Sequence, residues 1–424
     1  IHLKLEYMKV GPIELFKHKA LTWADGFDVC CYLDSNDYKD LYGEYDFLIA
    51  AGVKNELSCK VGNAFESWKV FYEQHKNWMF GFLSYDLKNE TEDLASQNLD
   101  QHAFPDLFFF VPQYLIIGKA GEVQVIIGDK DVILQIQEIR VEDLSGNVHL
   151  SIEKRMDRET YLKAVVEMQE HILRGDIYEA NLCQEFFATH AAIDPVSVYL
   201  KLKKLSPTPF SGYFKQYDNY ILSATPERFL CKRAGKLISQ PIKGTAKRSL
   251  DSYVDEQNKL ALQSNAKEQS ENVMIVDLVR NDLSKSAVKG SVKVDELFGI
   301  YSFPQVYQMI STISCDLDPE IHFIDAIKNA FPMGSMTGAP KLSAMQLIEA
   351  LEHSKRGVYS GAMGYIDPLG DFDLNVIIRS VLYNSQTKYL SFQVGGAITY
   401  AAEAAKEYEE CLLKASAILQ TLGN

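Results

Sequence analysis

Arg228-Phe-Leu-Cys-Lys-Arg-Ala-Gly-Lys-Leu-Ile-Ser-Gln-Pro241 reads as two short strands, Arg228 to Arg233 and Lys236 to Pro241, folded across a three-residue turn centred on Gly235. Another short strand, Tyr220 to Ser223, precedes this hairpin, and a long helical run, Glu256 to Asp282, follows it. Further along come a helix after Pro340, a strand-turn-strand stretch from Gly361 to Val381, a strand from Tyr389 to Val394 and a closing helix from Ala401 to Leu422. Strands and helices segregate instead of alternating, which predicts an α+β fold on antiparallel sheets. Upstream, Asp157 to Leu173 sets Tyr161, Ala164, Val165, Met168 and Ile172 at helical spacing and stops at Gly175. Residues 1–150 read as strands and turns with few helices: Tyr45 to Ala50, Trp78 to Tyr85, Leu107 to Gly118 and Glu122 to Gly128. The chain therefore divides into a mostly β region, 1–150, and a second region, 151–424. No Pro/Ser-rich linker separates them, so the two are expected to interleave in one core.

The chain has 424 residues, 47% hydrophobic and 24% charged, which is folded globular composition rather than disorder. Its net charge of −14 repels nucleic acid and anionic membrane surfaces, so neither is an expected partner. An anionic substrate would need a metal, an arginine or exposed backbone N–H groups. The 7 cysteines are odd in number and form no C-x-x-C, which disfavours a disulfide framework and a thiolate metal site. No apolar run is long enough to span a bilayer. Ile1 to Glu14 carry no basic-then-apolar export signal, and a cytoplasmic location is expected.

Three places could carry chemistry. In the hairpin register set by a turn at Gly235, Glu227 faces Lys243, with Gly244 and Thr245 next in line. A carboxyl and an amine at one sheet end can serve as acid and nucleophile, or can be a plain surface ion pair. Glu268 with Glu271, and Glu407 with Glu410, are Glu-x-x-Glu spacings on predicted helices; each pair shares a helix face. Together they could hold Mg²⁺, or simply be solvated faces. Phe331-Pro-Met-Gly-Ser-Met-Thr-Gly-Ala-Pro-Lys341 is a Gly-rich turn feeding a helix, with Pro340 suited to the first helical turn. Ala339 stands where a Walker A loop needs its second glycine, so nucleoside triphosphate binding is not supported. Gly395-Gly396 reads as a further glycine turn able to expose N–H groups, or as a strand bulge. The 9 histidines fit neither H-E-x-x-H nor a serine-triad pattern.

Taken together, Gly175-Asp-Ile-Tyr-Glu-Ala-Asn-Leu-Cys-Gln184, Thr225-Pro-Glu-Arg-Phe229, Pro241-Ile-Lys-Gly-Thr245, Glu271-Asn-Val-Met-Ile-Val-Asp-Leu-Val-Arg-Asn-Asp282 and the Gly334 to Lys341 loop resemble the chorismate-utilising enzymes. The resemblance covers roughly residues 155–424; the first 150 match loosely, for instance at Gly81-Phe-Leu-Ser-Tyr-Asp86. It implies an anthranilate synthase-like fold, α+β, with an antiparallel β-sandwich core flanked by helices. Lysine at the third position of Pro241 to Thr245 goes with the family's aminodeoxychorismate synthases, whereas anthranilate synthases carry alanine there. Isochorismate and salicylate synthases place a water-activating lysine at the position matching Glu179.

The resemblance further implies that Lys243 adds to chorismate while Glu227 acts as general acid, after which ammonia replaces the lysine. Lys243 must be neutral to attack and Glu227 protonated to donate, so a lowered pKa is expected for the first and a raised one for the second. Glu268, Glu271, Glu407 and Glu410 would hold Mg²⁺. Gly244, Thr245, Ser335, Tyr359, Arg379, Gly395, Gly396, Ala397, Lys414 and Gln308 would line the substrate site, with Arg379 gripping a carboxylate as a fork. Asp277 to Asp282 would be structural. At Gln308 the family usually has histidine, and at Glu179 often glutamine; Gln308 cannot exchange a proton near neutral pH. No glutaminase Cys, His and Glu set is recognisable, so ammonia would come from a separate glutamine amidotransferase subunit. Leu33-Asp-Ser35 is too short a match to the tryptophan pocket of some relatives to imply regulation. The alternatives are an anthranilate synthase and a non-catalytic chorismate- or tryptophan-binding subunit.

Overall fold

The computed structural model describes residues 8–141 and 150–423. The region boundary expected near residue 150 abuts residues 142–149, which lie outside the described residues. The strand ladders are antiparallel. One layer runs through Phe47–Cys59, Val29–Asp34, Ser211–Gln216, Asn219–Ser223, Ser380–Asn384, Tyr389–Ile398 and Glu179–Ala188. The other runs through Met79–Leu83, Ala362–Ile366, Phe372–Val376, Arg228–Arg233, Lys236–Gln240 and Val306–Asp316. The long strands Phe47–Cys59 and Leu107–Lys119 pair with each other and join the layers, slipping register between Val53 and Asn55. Strands from the first 150 residues pair with strands from far downstream in both layers.

Side-chain alternation explains why these strands are apolar on both faces. Cys31, Leu48, Ala50, Phe214 and Ile221 face the core between the layers, where Phe82 meets Phe214 edge-on at 5.3 Å. Their neighbours Cys30, Tyr32, Phe47, Ile49, Tyr213 and Leu222 face the other way, into a second core roofed by helices. The helix Arg158–Arg174 forms where its spacing predicts: the Asp157 side chain accepts from Thr160 N at 2.8 Å, and Gly175 ends it at φ 86°.

Among the described residues, 8–141 carry the strands expected and few helices, Ile13–Asp25, Ala64–His75, Val132–Glu138 and the single turn Lys88–Thr91; Phe65, Trp68, Phe71 and Tyr72 bury one face of the second. Three expectations need correction. The run Glu256 to Asp282 is two helices, Ser252–Gln263 and Ala266–Ser284, because Asn265 caps a new start by accepting from Lys267 N and Glu268 N. The hairpin turn is the two-residue Ala234-Gly235, both at positive φ (49° and 79°), which pairs Arg233 with Lys236. The ladder then slips so that Arg228 faces Gln240, and Ile242–Lys247 is a separate strand on Val306–Asp316. Glu227 and Lys243 are therefore not cross-strand partners. Pro340 is the residue before the helix Lys341–Leu351, at ψ 143°, rather than part of its first turn.

Candidate active site

Lys243 lies where the Ile242–Lys247 ladder breaks: Ile242 pairs with Ile310, Thr245 pairs with Gln308, and the register shifts between them. Gly244 makes this possible, at φ 93°, and a Cβ there would stand 3.1 Å from the Glu268 carboxylate and from Leu262. The Lys243 amine is buried, 2.7 Å from Oε1 of Glu179. Glu179 opens the strand Glu179–Ala188, and its backbone pairs with Ala339 of the Gly-rich loop. Glu227 directly precedes the strand Arg228–Arg233, with its carboxyl beside Ser335, Lys243 and Arg379. The acid and the amine thus share one place, reached by different strands than the hairpin reading supposed.

The electrostatics agree with one expectation and reverse the other. Burial pushes Glu227 up to about 7, against the opposing pull of the Ser335 hydroxyl, Lys243 and Arg379. For Lys243, burial works to lower the pKa, but the adjoining Glu179 carboxylate, with Glu271 and Glu227 behind it, leaves it raised. The resting lysine is an ammonium, contrary to the neutral amine expected.

Glu268 and Glu271 project from the helix Ala266–Ser284, and Glu407 and Glu410 from the helix Ala404–Thr421. Lys267 stands between the two helices, its Nζ 3.8 Å from both Glu271 and Glu407. Burial pushes Glu271 up to about 7 and also raises Glu407, where Glu410 adds to the effect; Glu410 itself is exposed and lowered by Lys414, 2.8 Å away. Among the described residues no three acidic, His or Cys side chains converge as a preformed metal cluster. The donor set still fits Mg²⁺: hard carboxylate oxygens from two helices, with Oε1 of Glu271 buried and making no hydrogen bond.

The remaining expected residues gather around this point. Gly395 and Gly396 lie inside the strand Tyr389–Ile398, paired with Cys183 and Leu182, and are neither a turn nor a bulge. A side chain at Gly395 would collide, its Cβ 2.2 Å from the Leu182 carbonyl, whereas a Cβ on Gly396 would be a tight 3.3 Å from the Glu407 carboxylate. Lys414 Nζ donates to the Gly395 carbonyl at 3.0 Å. Ala397 pairs with Asn181, whose side chain donates to the Ser335 carbonyl at 3.1 Å. Arg379 adopts φ 50°, a strained value for a non-glycine residue, and no ion pair among the described residues engages its guanidinium. Tyr359 is buried, its hydroxyl 3.5 Å from the Cys183 sulfur. Gln308 is buried, and its side-chain carbonyl oxygen accepts no hydrogen bond among the described residues.

Sequence reasoning missed the braces behind this site. Arg356 donates to Glu352, to the Met336 carbonyl at 2.6 Å and to the Asn181 carbonyl at 2.8 Å, tying the Gly-rich loop to the strand that carries Glu179. Lys341 donates to Asp282 at 2.6 Å and to the Pro332 carbonyl at 2.8 Å, tying the same loop to the glutamate-bearing helix. The i,i+4 spacings of Glu352 with Arg356, and of Lys267 with Glu271, were the available signals. Elsewhere, a cavity of about 460 Å³ is lined by Leu33, Ser35, Tyr38, Tyr45, Phe210 and Tyr365. It touches the site's surroundings at Arg228 but includes neither Lys243 nor any of the four glutamates.

A nearly buried amine beside a carboxyl that holds its proton near neutrality, with glutamates on two neighbouring helices, can support acid-assisted chemistry. The model of the chorismate binding enzyme family matches residues 29–420, and the chain belongs to that family. It is similar to aminodeoxychorismate synthase component 1 of Escherichia coli, with 33% identity over 347 residues, 81% of this chain and 76% of that one. It is 32% identical over 356 residues to an anthranilate synthase component I-like protein of Synechocystis, covering 82% of this chain and 73% of the relative. Among solved structures, anthranilate synthase component I of Streptococcus pneumoniae superposes with TM-score 0.78 at 25% identity, covering 90% of this chain and 93% of that one. The antiparallel sheet with flanking helices is the fold expected from the sequence. Among the described residues no helix is long and apolar enough to cross a membrane.

Proposed function

We propose that this chain aminates chorismate to 4-amino-4-deoxychorismate, the precursor of 4-aminobenzoate in folate biosynthesis. The observation that carries the reading is Lys243, a buried amine within the electrostatic reach of a protonated Glu227. Chorismate's C4 hydroxyl is a poor leaving group. Lys243 adds at C2 as Glu227 gives its proton to the departing oxygen, which leaves as water; ammonia then adds at C4 and expels the lysine. Arg379 grips the enolpyruvyl carboxylate, while Thr245, Ser335, Tyr359, Gln308, Lys414 and the backbone at Gly395, Gly396 and Ala397 hold the ring in place. Glu271 and Glu410, with Glu268 and Glu407 directly or through water, would hold Mg²⁺, which when bound offsets the charge of the ring carboxylate.

Ammonia comes from a separate glutamine amidotransferase subunit, a reading supported by the "component 1" in the names of similar proteins. Free ammonium salt substitutes for it in vitro. The likeness to anthranilate synthases in sequence and structure favours a second reading, anthranilate formation. Chromatography of the products from chorismate, Mg²⁺ and ammonium salt separates the two. With added aminodeoxychorismate lyase, 4-aminobenzoate is the expected product, and none without it. Anthranilate in either reaction contradicts the proposal.

A further inference from the structure

An amine attacks only after it has lost its proton, and the Lys243 amine donates to the Glu179 carboxylate at 2.7 Å. Four carboxyl groups face it: Glu179 from the strand Glu179–Ala188, Glu227 at the head of the strand Arg228–Arg233, Glu271 from the helix Ala266–Ser284 and Glu410 from the helix Ala404–Thr421. Among the described residues, Glu179 alone of the four hydrogen-bonds the amine, with Oε1 2.7 Å from Nζ. Its other oxygen, Oε2, is buried and makes no hydrogen bond among the described residues. Glu227 must keep its own proton for the leaving oxygen, and Glu271 and Glu410 face the cation between the helices. Strand placement fixes the contact: Glu179 pairs through its backbone with Ala339, and Arg356 clamps Asn181 two residues on.

We infer that Glu179 is a catalytic residue, the proton acceptor that turns Lys243 into a nucleophile and later returns the proton. The inference rests on the amination reading above. When chorismate enters, one proton passes from Nζ to Oε1, leaving a neutral amine and a neutral acid. The Nζ lone pair forms the bond to C2, the conjugated ring double bonds shift towards C4, and the C4–O bond breaks with the oxygen taking the Glu227 proton. After ammonia bonds to C4 the double bonds shift back and the C2–N bond breaks, its electrons going to Nζ. Glu179 then reprotonates the amine. The site ends charged as it began, apart from the Glu227 proton, which is regained from solvent.

The test is the rate of covalent adduct formation, by rapid quench and intact-protein mass spectrometry, with chorismate and Mg²⁺ but no ammonia. It is run between about pH 6 and 9 for wild type, Glu179→Gln and Glu179→Asp. Glu227 titrates in all three, so the ratio of wild-type to variant rate isolates position 179. Glu179→Gln should be at least tenfold slower than wild type at pH 7, with the gap closing as pH rises and solvent takes the proton; Glu179→Asp should recover much of the loss. A Glu179→Gln enzyme as fast as wild type or faster at pH 7 would overturn the proposal, because Glu179 would then only trap the ammonium. A deficit that stays constant with pH would also overturn it, marking a role in packing. If wild type itself forms no adduct, the Lys243 mechanism has failed and this step with it, and the product analysis above shows whether amination survives by another route.

Discussion

Two buried charge clusters lie side by side on the strand Glu179–Ala188, and they differ in how completely their polar atoms are satisfied. Around Arg356 the accounting closes: its guanidinium reaches both Glu352 oxygens and two backbone carbonyls, and Glu352 also accepts from Cys183 N at 2.8 Å. Around Lys243 it does not close. Among the described residues, Oε2 of Glu179, Oε1 of Glu271 and Oε1 of Gln308 are buried and make no hydrogen bond, Glu271 having only the Lys267 ammonium 3.8 Å away. Leaving a buried polar atom unpaired costs about 1–3 kcal/mol, so several in one place mark groups held for something that binds there. On the proposed function, the satisfied cluster builds the wall and the unsatisfied one faces the substrate.

Removing Lys243 should have the largest effect. Lys243→Ala should abolish product formation while the protein stays folded, as read by circular dichroism; normal turnover would mean the unsatisfied cluster is not catalytic. Next comes the opposite case. Arg356→Ala strands the buried Glu352 carboxylate and should cost about 3–5 kcal/mol in denaturant unfolding; an unchanged unfolding midpoint would show that this cluster does not hold the wall.

Glu227 gives a pH-dependent version of the same contrast. Its folded pKa of about 7 lies above the ordinary carboxylate value, so the folded protein binds this proton more tightly than the unfolded chain. Its stabilising effect is full below the ordinary value and is lost as pH climbs towards 7, a change of about 3 kcal/mol at most. Glu227→Gln should therefore be more stable than wild type at pH 8 and no more stable at pH 4, as melting curves would report. Equal stabilities at both would show that burial does not hold the proton. Turnover of the wild type should fall as pH rises above 7, since the donor is then ionised. The smallest effect is expected at the cage: Glu271→Gln and Glu410→Gln should each raise the Mg²⁺ requirement at least tenfold, about 1.4 kcal/mol, and an unchanged requirement would reject these ligands.

Much of this was legible in the sequence, for reasons that differ by element. Asp157 and Gly175 bracket their helix because caps are local chemistry, and the reading held to within a residue. The identities of Lys243, Glu227 and the four glutamates came from motif resemblance, and the structure brings them to one region. Their geometry was not legible. A one-residue error in the turn at Ala234-Gly235 and the break at Gln240 to Ile242 moved Lys243 to a different strand, and register of this kind depends on a bulge that only Gly244 hints at. The Lys243 ammonium was missed because its cause, Glu179, lies 64 positions away in the chain. The Gly395-Gly396 pair reads as a turn in any local window, yet close approach to Leu182 and Cys183 across the sheet is what requires glycine at Gly395.

The most direct test of the unsatisfied cluster as the reaction centre is peptide mapping of wild-type protein quenched after mixing with chorismate and Mg²⁺ in the absence of ammonia. A modification with the mass of chorismate less one water, located on the peptide containing Lys243 and released on adding ammonium salt, is the expected result. Modification at another lysine, or an adduct that ammonia does not release, would contradict it.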